Sequence, residues 1–357
     1  MKIYKRAFVL GKFLPPHKGH RALIDLAASF SQHVVVAVEE QKNEKISVSD
    51  RAQIVRSFVP YNVSVKELRG HHPQSPQESA SEEDFWAHWS KTIKSIACDV
   101  DVIVSSDDYG KRLADDLGAD WIRCDRNIFP TSATKIKDNL WENFSDLVEQ
   151  SQSILARRVT LLGAESTGKS TLAKNLSSVF DAALVPEYAE YHIKNHPPLY
   201  DKKFFQSMIA GQTGYRAAFG RDKKIIIEDS SAVTTALYAH EFGHVDLAKQ
   251  ILKSATESPP HLVIVSKLNG SRFAPDVHRE GNEEKRHAHE KMLLEWLEKN
   301  KWNYVTVEGD WDERFQMAQE HMENFVSTWA RAGWEDWTAS PNQVKYKNEK
   351  RNSPKMA

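Results

Sequence analysis

Val159-Thr160-Leu161-Leu162-Gly163-Ala164-Glu165-Ser166-Thr167-Gly168-Lys169-Ser170-Thr171 runs from an apolar, strand-like tetrad through a glycine-bracketed loop into a helix-forming segment. Gly163, Gly168, Lys169 and Ser170 meet the spacing G-x-x-x-x-G-K-[ST] of a P-loop, in the strand-to-helix context that its mechanism requires. The glycines let the backbone fold so that successive N–H groups of Glu165, Ser166 and Thr167, with the helix N-terminus, face phosphate oxygens. Lys169 is expected to reach the β- and γ-phosphates of ATP and Ser170 to ligate Mg²⁺, while Thr171 supports the α-phosphate.

Downstream, strand-like runs near residues 183–187, 224–228, 261–266 and 303–307 alternate with helical segments, which predicts an α/β domain over 157–338. Ile225-Ile226-Ile227 ends in Glu228-Asp229-Ser230-Ser231, so Asp229 is a candidate for Mg²⁺ through water or for a base toward an acceptor hydroxyl. Pro186-Glu187-Tyr188 offers a second carboxylate and a ring to the same rim, helix capping being the alternative for these acids. From Asn269 to Arg286, a Gly- and Pro-containing stretch carries Arg272, Arg279, Lys285 and Arg286. Its composition suits a lid over a transferring phosphate, with a solvated charged loop as the alternative.

Upstream, Ala7-Phe8-Val9-Leu10, Val34-Val35-Val36-Ala37-Val38 and Val100-Asp101-Val102-Ile103-Val104 alternate with helix-period stretches, the rhythm of βαβ units. Leu147 to Arg158 is polar and amphipathic, which puts a boundary near 150–157. The fold class is therefore α/β, two doubly wound domains over 1–150 and 157–338. A polar basic tail over 339–357, with Lys345, Lys347, Lys350, Arg351 and Lys355, is expected to be disordered. The 357 residues carry a net charge of −1, which argues against a whole-molecule footprint for nucleic acid. No segment approaches the roughly 18 uninterrupted apolar residues of a membrane span, and no apolar leader opens the chain, so a cytoplasmic location is expected. Two cysteines, Cys98 and Cys124, make no disulfide framework and read as reduced core or strand residues.

A second constellation follows the first strand: Gly11-Lys12-Phe13-Leu14-Pro15-Pro16-His17-Lys18-Gly19-His20. The prolines stiffen the turn, Gly19 admits close backbone approach, and His17 and His20 share a face of the first helical turn. Two imidazoles at a helix N-terminus suit a developing phosphate charge. Late in the same half, Thr131-Ser132-Ala133-Thr134-Lys135-Ile136-Lys137 opens another helix, whose hydroxyls, N–H groups and Lys135 would grip a triphosphate.

These residues carry a resemblance. G-x-F-x-P-x-H-x-G-H is the signature of the nucleotidyltransferase superfamily, and Thr131 to Lys137 is similar to its second motif, I-S-x-T-x-I-R, with Lys137 where Arg is usual. Ser49-Asp50-Arg51 and Ser105-Ser106-Asp107-Asp108-Tyr109-Gly110 resemble the adenylyltransferase half of the NadR family, bifunctional nicotinamide-mononucleotide adenylyltransferases and ribosylnicotinamide kinases. The resemblance spans about residues 3–330 and keeps the family's order, a Rossmann-like nucleotidyltransferase domain before a P-loop kinase domain. It implies that one half phosphorylates nicotinamide riboside with ATP and the other transfers AMP from ATP to nicotinamide mononucleotide, giving NAD and pyrophosphate without a covalent intermediate. His17 and His20 would then act on the transferring phosphate, with Gly11, Lys12, Phe13, Gly19, Ser132, Thr134 and Lys135 holding ATP. Arg51, Asp108 and Trp86 or Trp89 would face the mononucleotide, core packing being the alternative for the tryptophans. Some members carry a helix-turn-helix repressor domain ahead of these two. There is no room for one before residue 3, so transcriptional control is not implied.

The P-loop half departs from the family on its acceptor side. P-E-Y-A-R-E stands as Pro186-Glu187-Tyr188-Ala189-Glu190-Tyr191, and D-T-D as Asp229-Ser230-Ser231, while P-W-x-D-D-G-x-R aligns with Arg272 to Arg279. ATP binding is untouched by these changes, but a kinase for another nucleoside, or a nucleotide-sensing regulatory domain, remains an alternative. His240-Glu241-Phe242-Gly243-His244 fits H-E-x-x-H, yet Gly243 weakens the helix that a zinc site needs, and surface histidines are the better reading. The expected partners are small molecules, ATP, nicotinamide mononucleotide, nicotinamide riboside and NAD, with Mg²⁺ as cofactor. A homo-oligomer is compatible with the sequence.

Overall fold

The structure is a computed structural model and describes residues 2–125, 127–196, 198–269 and 283–338. The chain divides into two compact units between Gln152 and Ser153. The first unit runs β1 (Tyr4–Gly11), α1 (Lys18–Phe30), β2 (Ser31–Glu39), α2 (Val48–Arg56), β3 (Val63–Leu68), α3 (Glu82–Ile96), β4 (Val102–Ser105), α4 (Tyr109–Leu117), β5 (Asp120–Arg123) and α5 (Ala133–Asp138). α6 (Glu149–Leu155) leads on to the second unit. That unit runs β6 (Arg157–Leu162), α7 (Lys169–Val179), β7 (Ala183–Val185), α8 (Tyr188–Asn195), α9 (Lys202–Phe219), β8 (Ile225–Asp229), α10 (Ala232–Glu241) and α11 (Val245–Glu257), then β9 (Leu262–Ser266), α12 (Glu283–Lys299), β10 (Tyr304–Val307), α13 (Trp311–Ala330) and α14 (Trp334–Thr338).

Five parallel strands in the order β3-β2-β1-β4-β5 make the first sheet, with Ala7 opposite both Val34 and Val102. β2 is buried at every residue from Val34 to Val38, as expected of a parallel strand covered on both faces. Alternation then sorts the side chains. Val9, Val36 and Val104 meet Leu23, Ile24 and Ala27 of α1 on one face, while Phe8, Val35 and Ile103 meet Phe85 and Trp89 of α3 and Leu113 of α4 on the other. The order reverses between β1 and β4, which leaves a crevice at their carboxyl ends, where ligands bind in open α/β sheets.

The second sheet has the order β10-β9-β6-β8-β7, again parallel, with Leu161 of β6 opposite Asp229 of β8 and Ile264 of β9. Its central strand β6 thus delivers the loop 163–168 to a carboxyl edge flanked by β8 and β9. β6 starts at Arg157, two residues before the expected apolar run. Arg157 is buried, its guanidinium carbon 4.4 Å from the ring centre of Trp329 and 4.5 Å from that of Trp337, and Nη1 donates to Trp337 O at 2.8 Å. Aromatic faces and carbonyls replace the water this cation has lost. The cysteines also depart from expectation: both are free thiols, but Cys98 is exposed and only Cys124 is buried. Among the described residues, no helix is long and apolar enough to cross a membrane.

Candidate functional site

In the first unit, His17 takes an extended backbone and caps α1, so that its ring and that of His20 project from one turn. The two rings stack with centroids 3.6 Å apart, and the His17 backbone N–H donates to His20 Nδ1 at 3.2 Å. A Cβ on Gly19 would lie 3.0 Å from the His17 ring and 3.1 Å from the Thr131 methyl, so glycine lets the second motif close on the first. Ser132 caps α5, its hydroxyl accepting from the Lys135 N–H at 3.1 Å. Two stretches more than a hundred residues apart thereby share a cavity of 160 Å³ that includes His17, Gly19, His20, Ser106, Ser132 and Thr134. Lys135 follows Thr134 on α5 but does not line the cavity; its Nζ lies 3.5 Å from both Pro130 O and the Asp146 carboxylate.

Several expected ligand contacts prove to be framework. Phe13 is only 1 % exposed; its ring lies under Gly11 and backs His20 at 4.7 Å. Arg51 shows no surface at all: Nε donates to Ile46 O at 2.9 Å, Nη1 donates to Glu39 O at 2.9 Å and also to Lys12 O, and Nη2 pairs with Glu44. Arg51 therefore fastens the Gly11–Lys12 turn from behind, in place of the substrate contact expected of it. Trp89 is core, with Nε1 donating to Pro73 O at 3.1 Å. Trp86 packs edge-on against Phe85 and donates to Glu82. Asp108 sits at the start of α4, 3.3 Å from Arg123.

A polar cluster that motif reading does not register lies at the end of β2. Glu39 is buried and accepts from Gln74; burial raises its carboxyl above the usual range, while Gln74 and the charges of Lys12 and His72 oppose the shift. His72 Nδ1 lies 3.0 Å from His88 Nε2. Only the position of Glu39 at the end of an apolar strand hints at it in the sequence.

In the second unit, the P-loop geometry follows from its residues. Gly163 has φ 146° and faces Ser266 O, Gly168 has φ 81° and faces the Trp311 indole, and in both places a Cβ would collide. Lys169 Nζ and Thr167 Oγ1 donate to Ala164 O at 2.8 and 2.9 Å. Buried Arg314 steadies the loop from beneath through Thr167 O (3.3 Å) and Ser266 Oγ (2.7 Å), and Arg286 Nε donates to Glu165 O at 3.1 Å. Asp229 ends β8 beside the loop. Burial raises its carboxyl, opposed by a hydrogen bond from Ser170 and by the charge of Lys169, and its Oδ1 is buried without a hydrogen-bond partner. A bare carboxylate oxygen next to a serine hydroxyl is a hard-oxygen donor set, so these residues fit Mg²⁺.

Glu187 caps α8 and lines the cavity that opens from the P-loop. Burial pushes its carboxyl up to about 7; Lys169 and a hydrogen bond from Ser230 pull it down, Asp229 and Glu190 push it up. Glu228, by contrast, is consumed by Arg216 and Thr160 within the fold. Tyr188 turns away from its expected place, its ring lying over Gly211 of α9 and edge-on to Tyr215. Ser231 caps α10, accepting from the Val233 N–H at 3.1 Å, and Glu190 lines the cavity while pairing with Lys194 at 2.7 Å. Arg272 and Arg279 lie outside the described residues.

The cavity measures 750 Å³ and extends from the P-loop to Tyr200, Phe204, Phe242 and His289. Glu241 and Phe242 belong to the H-E-x-x-H match, whose histidines are expected at the surface. α10 ends at Glu241, Gly243 is left-handed, and His244 Nε2 lies 2.8 Å from Tyr200 O, so the two histidines do not share one helix. Glu241 instead meets Lys285 at 3.1 Å and His289 at 2.9 Å, while Phe242 stacks on Tyr200 with centroids 4.0 Å apart. Among the described residues, no three or more His, Cys, Asp or Glu side chains are grouped to hold a metal.

Residues 8–154 match the cytidylyltransferase-like family and residues 158–314 an AAA domain family. The class defined by fold and sites is thus a nucleotidyltransferase-like domain followed by a P-loop domain. Over 333 residues the chain is 24% identical to the trifunctional NAD biosynthesis/regulator protein NadR of Salmonella typhimurium, covering 86% of this chain and 80% of that protein. It superposes on the crystal structure of NadR protein in complex with NR at a TM-score of 0.69 (20% identity, 93% of this chain and 98% of that one). On NadR protein in complex with NAD and AMP-PNP the TM-score is 0.68 (20% identity, 92% and 98%). The chain is a homologue of NadR.

Proposed function

We propose that the chain is a bifunctional enzyme of NAD synthesis, with adenylyl transfer in the His17/His20 cavity and riboside phosphorylation in the P-loop cavity. The observation that carries this is the closure of Thr131–Thr134 on His17 and His20 through Gly19, which sets a phosphate-binding helix N-terminus beside two stacked imidazoles. There a phosphate oxygen of nicotinamide mononucleotide attacks the α-phosphorus of ATP, and the bond to the β-phosphate oxygen breaks to release pyrophosphate. His17 and His20 stabilise charge on the transferring phosphate; Ser132, Thr134, Lys135 and the N–H groups of α5 hold the leaving pyrophosphate.

In the P-loop cavity the riboside hydroxyl attacks the γ-phosphorus and ADP leaves. Lys169 and the loop N–H groups neutralise the β- and γ-phosphates. Glu187, at the carboxyl edge, is the group available to take the hydroxyl proton while Asp229 holds the metal. Mg²⁺, held by Ser170 and Asp229, supplies Lewis-acid charge to the phosphates when bound. Free thiols and nucleotide substrates fit a cytoplasmic setting.

The test supplies ATP and Mg²⁺ with nicotinamide mononucleotide or nicotinamide riboside and follows NAD, pyrophosphate and ADP. The mononucleotide should yield NAD, with His20→Ala lowering the rate at least about 100-fold and Lys169→Ala sparing it. Riboside should also yield NAD, and Lys169→Ala should stop that. No NAD from the mononucleotide would sink the adenylyltransferase reading. A second acceptor is favoured by Glu190, a carboxylate on the cavity wall where the NadR family has a basic residue, and by Ser231, whose hydroxyl is occupied in capping. ADP formation with another nucleoside but not with the riboside would establish that reading instead.

A further inference from the structure

Trp311 opens α13, whose first turn is held in place by a set of hydrogen bonds. The Asp310 carboxylate accepts from the N–H groups of Asp312 and Glu313 at 3.0 Å each, and Glu313 returns a bond to the Asp310 N–H at 2.9 Å. The preceding turn is tied down by the Gly309 N–H to Asn269 O (3.1 Å) and by Arg314 to Gly309 O (2.7 Å) and Asn269 O (2.6 Å). That same Arg314 reaches under the P-loop to Thr167 O, so α13 and the loop are one braced piece. Within it the indole lies against Gly168, filling the space a Cβ would need. Trp311 is nevertheless 52% exposed and lines the P-loop cavity, whereas Phe325 and Trp329, farther along α13, are fully buried. Of the cavity's other aromatic rings, Tyr200, Phe204, Phe205 and Phe242 form a mutual cluster from the chain before α9, α9 itself and the end of α10, and Tyr238 of α10 lies edge-on to His289.

A large indole held half-bare on a rigid helix start, in van der Waals contact with the glycine that precedes the phosphate-binding lysine, is a flat apolar face at the edge of the phosphate cradle. A nucleotide whose phosphates occupy residues 163–171 carries its base away from that cradle, and stacking on an indole face is available to any heteroaromatic base. We propose that Trp311 is the platform on which the base of the phosphoryl donor stacks. The proposal rests on reading the P-loop cavity as a nucleoside-triphosphate site.

Riboside-dependent ADP release by the full chain reports the P-loop reaction alone, its kcat controls for folding of the second unit, and mononucleotide-dependent pyrophosphate release reports the other site. Trp311→Ala should raise KM for ATP in the first reaction about 10-fold, with kcat and KM for the riboside held within about 2-fold, while Trp311→Phe recovers most of the loss. Pyrophosphate release should not change. An unaltered KM for ATP, equal losses in the Ala and Phe variants, or a rise in KM for the riboside alone would each overturn the assignment. If wild type releases no riboside-dependent ADP, equilibrium binding of ATP decides: the component abolished by Lys169→Ala should weaken by a similar factor in Trp311→Ala. Equal affinity in that case removes Trp311 from the site, and lack of any Lys169-dependent binding removes the donor site itself.

Discussion

At Glu187, stability and chemistry oppose one another. An ordinary glutamate ionises near 4.5, and here burial between Lys169, Asp229 and Glu190 moves that to about 7. Between those values the native state binds more protons than the unfolded chain, so stability falls as pH rises through the window and the penalty is fully present above it. Glu187→Gln removes the charge and keeps the shape. It should raise the unfolding midpoint of the second unit at pH 8, on the order of 1–3 kcal/mol or about 2–4 °C per kcal/mol, and raise it far less at pH 5. Riboside phosphorylation should fall in the same variant. An equal stabilisation at both pH values would show that the carboxylate is not strained. The sequence marks Glu187 as a rim acid, but its shift depends on Lys169, Asp229 and Glu190, of which only Glu190 is near it along the chain. The same limit applied to Tyr188: adjacency placed it at the rim, and Gly211 of α9, by lacking a side chain, drew it elsewhere.

Among the elements, strand-loop-helix junctions are the most legible, because their signal is local. Gly163, Gly168 and Lys169 announce the β6–α7 turn, and Pro15 to His20 the β1–α1 turn, before any tertiary contact is known. Buried cations are the least legible, since apolar periodicity scores Arg51 and Arg157 as surface. Arg51 binds three carbonyls that close the turn after β1, the end of β2 and the entry to α2, together with the Glu44 carboxylate. Arg51→Ala would leave these groups unpaired in the interior and should destabilise the first unit by about 3–5 kcal/mol. Arg51→Lys should recover little, because one ammonium cannot reproduce the guanidinium fork. Denaturant unfolding, with the kinetics of the folded fraction, separates the two possible roles. KM for nicotinamide mononucleotide should stay near wild type, and a raised KM at unchanged stability would restore Arg51 as a substrate contact.

For the whole molecule, the chain folds as two units, each with its own parallel sheet and its own motif-lined cavity. This division was legible because two motifs of different kinds sit after two different strands. What the motifs could not convey is which distant residues complete each cavity: Glu241 and Phe242, at the end of α10 just before left-handed Gly243, line the P-loop cavity. If the two cavities run consecutive reactions, the product of one is the substrate of the other, and each can be disabled alone. His20→Ala should still convert riboside to mononucleotide, and Lys169→Ala should still convert mononucleotide to NAD. A mixture of the two variants supplied with riboside and ATP should therefore form NAD after a lag that shortens as either variant is increased, because the mononucleotide must leave one molecule and enter another. Chromatography of the reaction should show mononucleotide rising before NAD. If mononucleotide forms only in an amount stoichiometric with His20→Ala and NAD does not form, while Lys169→Ala accepts added mononucleotide normally, the intermediate is retained by the molecule that made it. The two sites would then have to be treated as coupled within one chain.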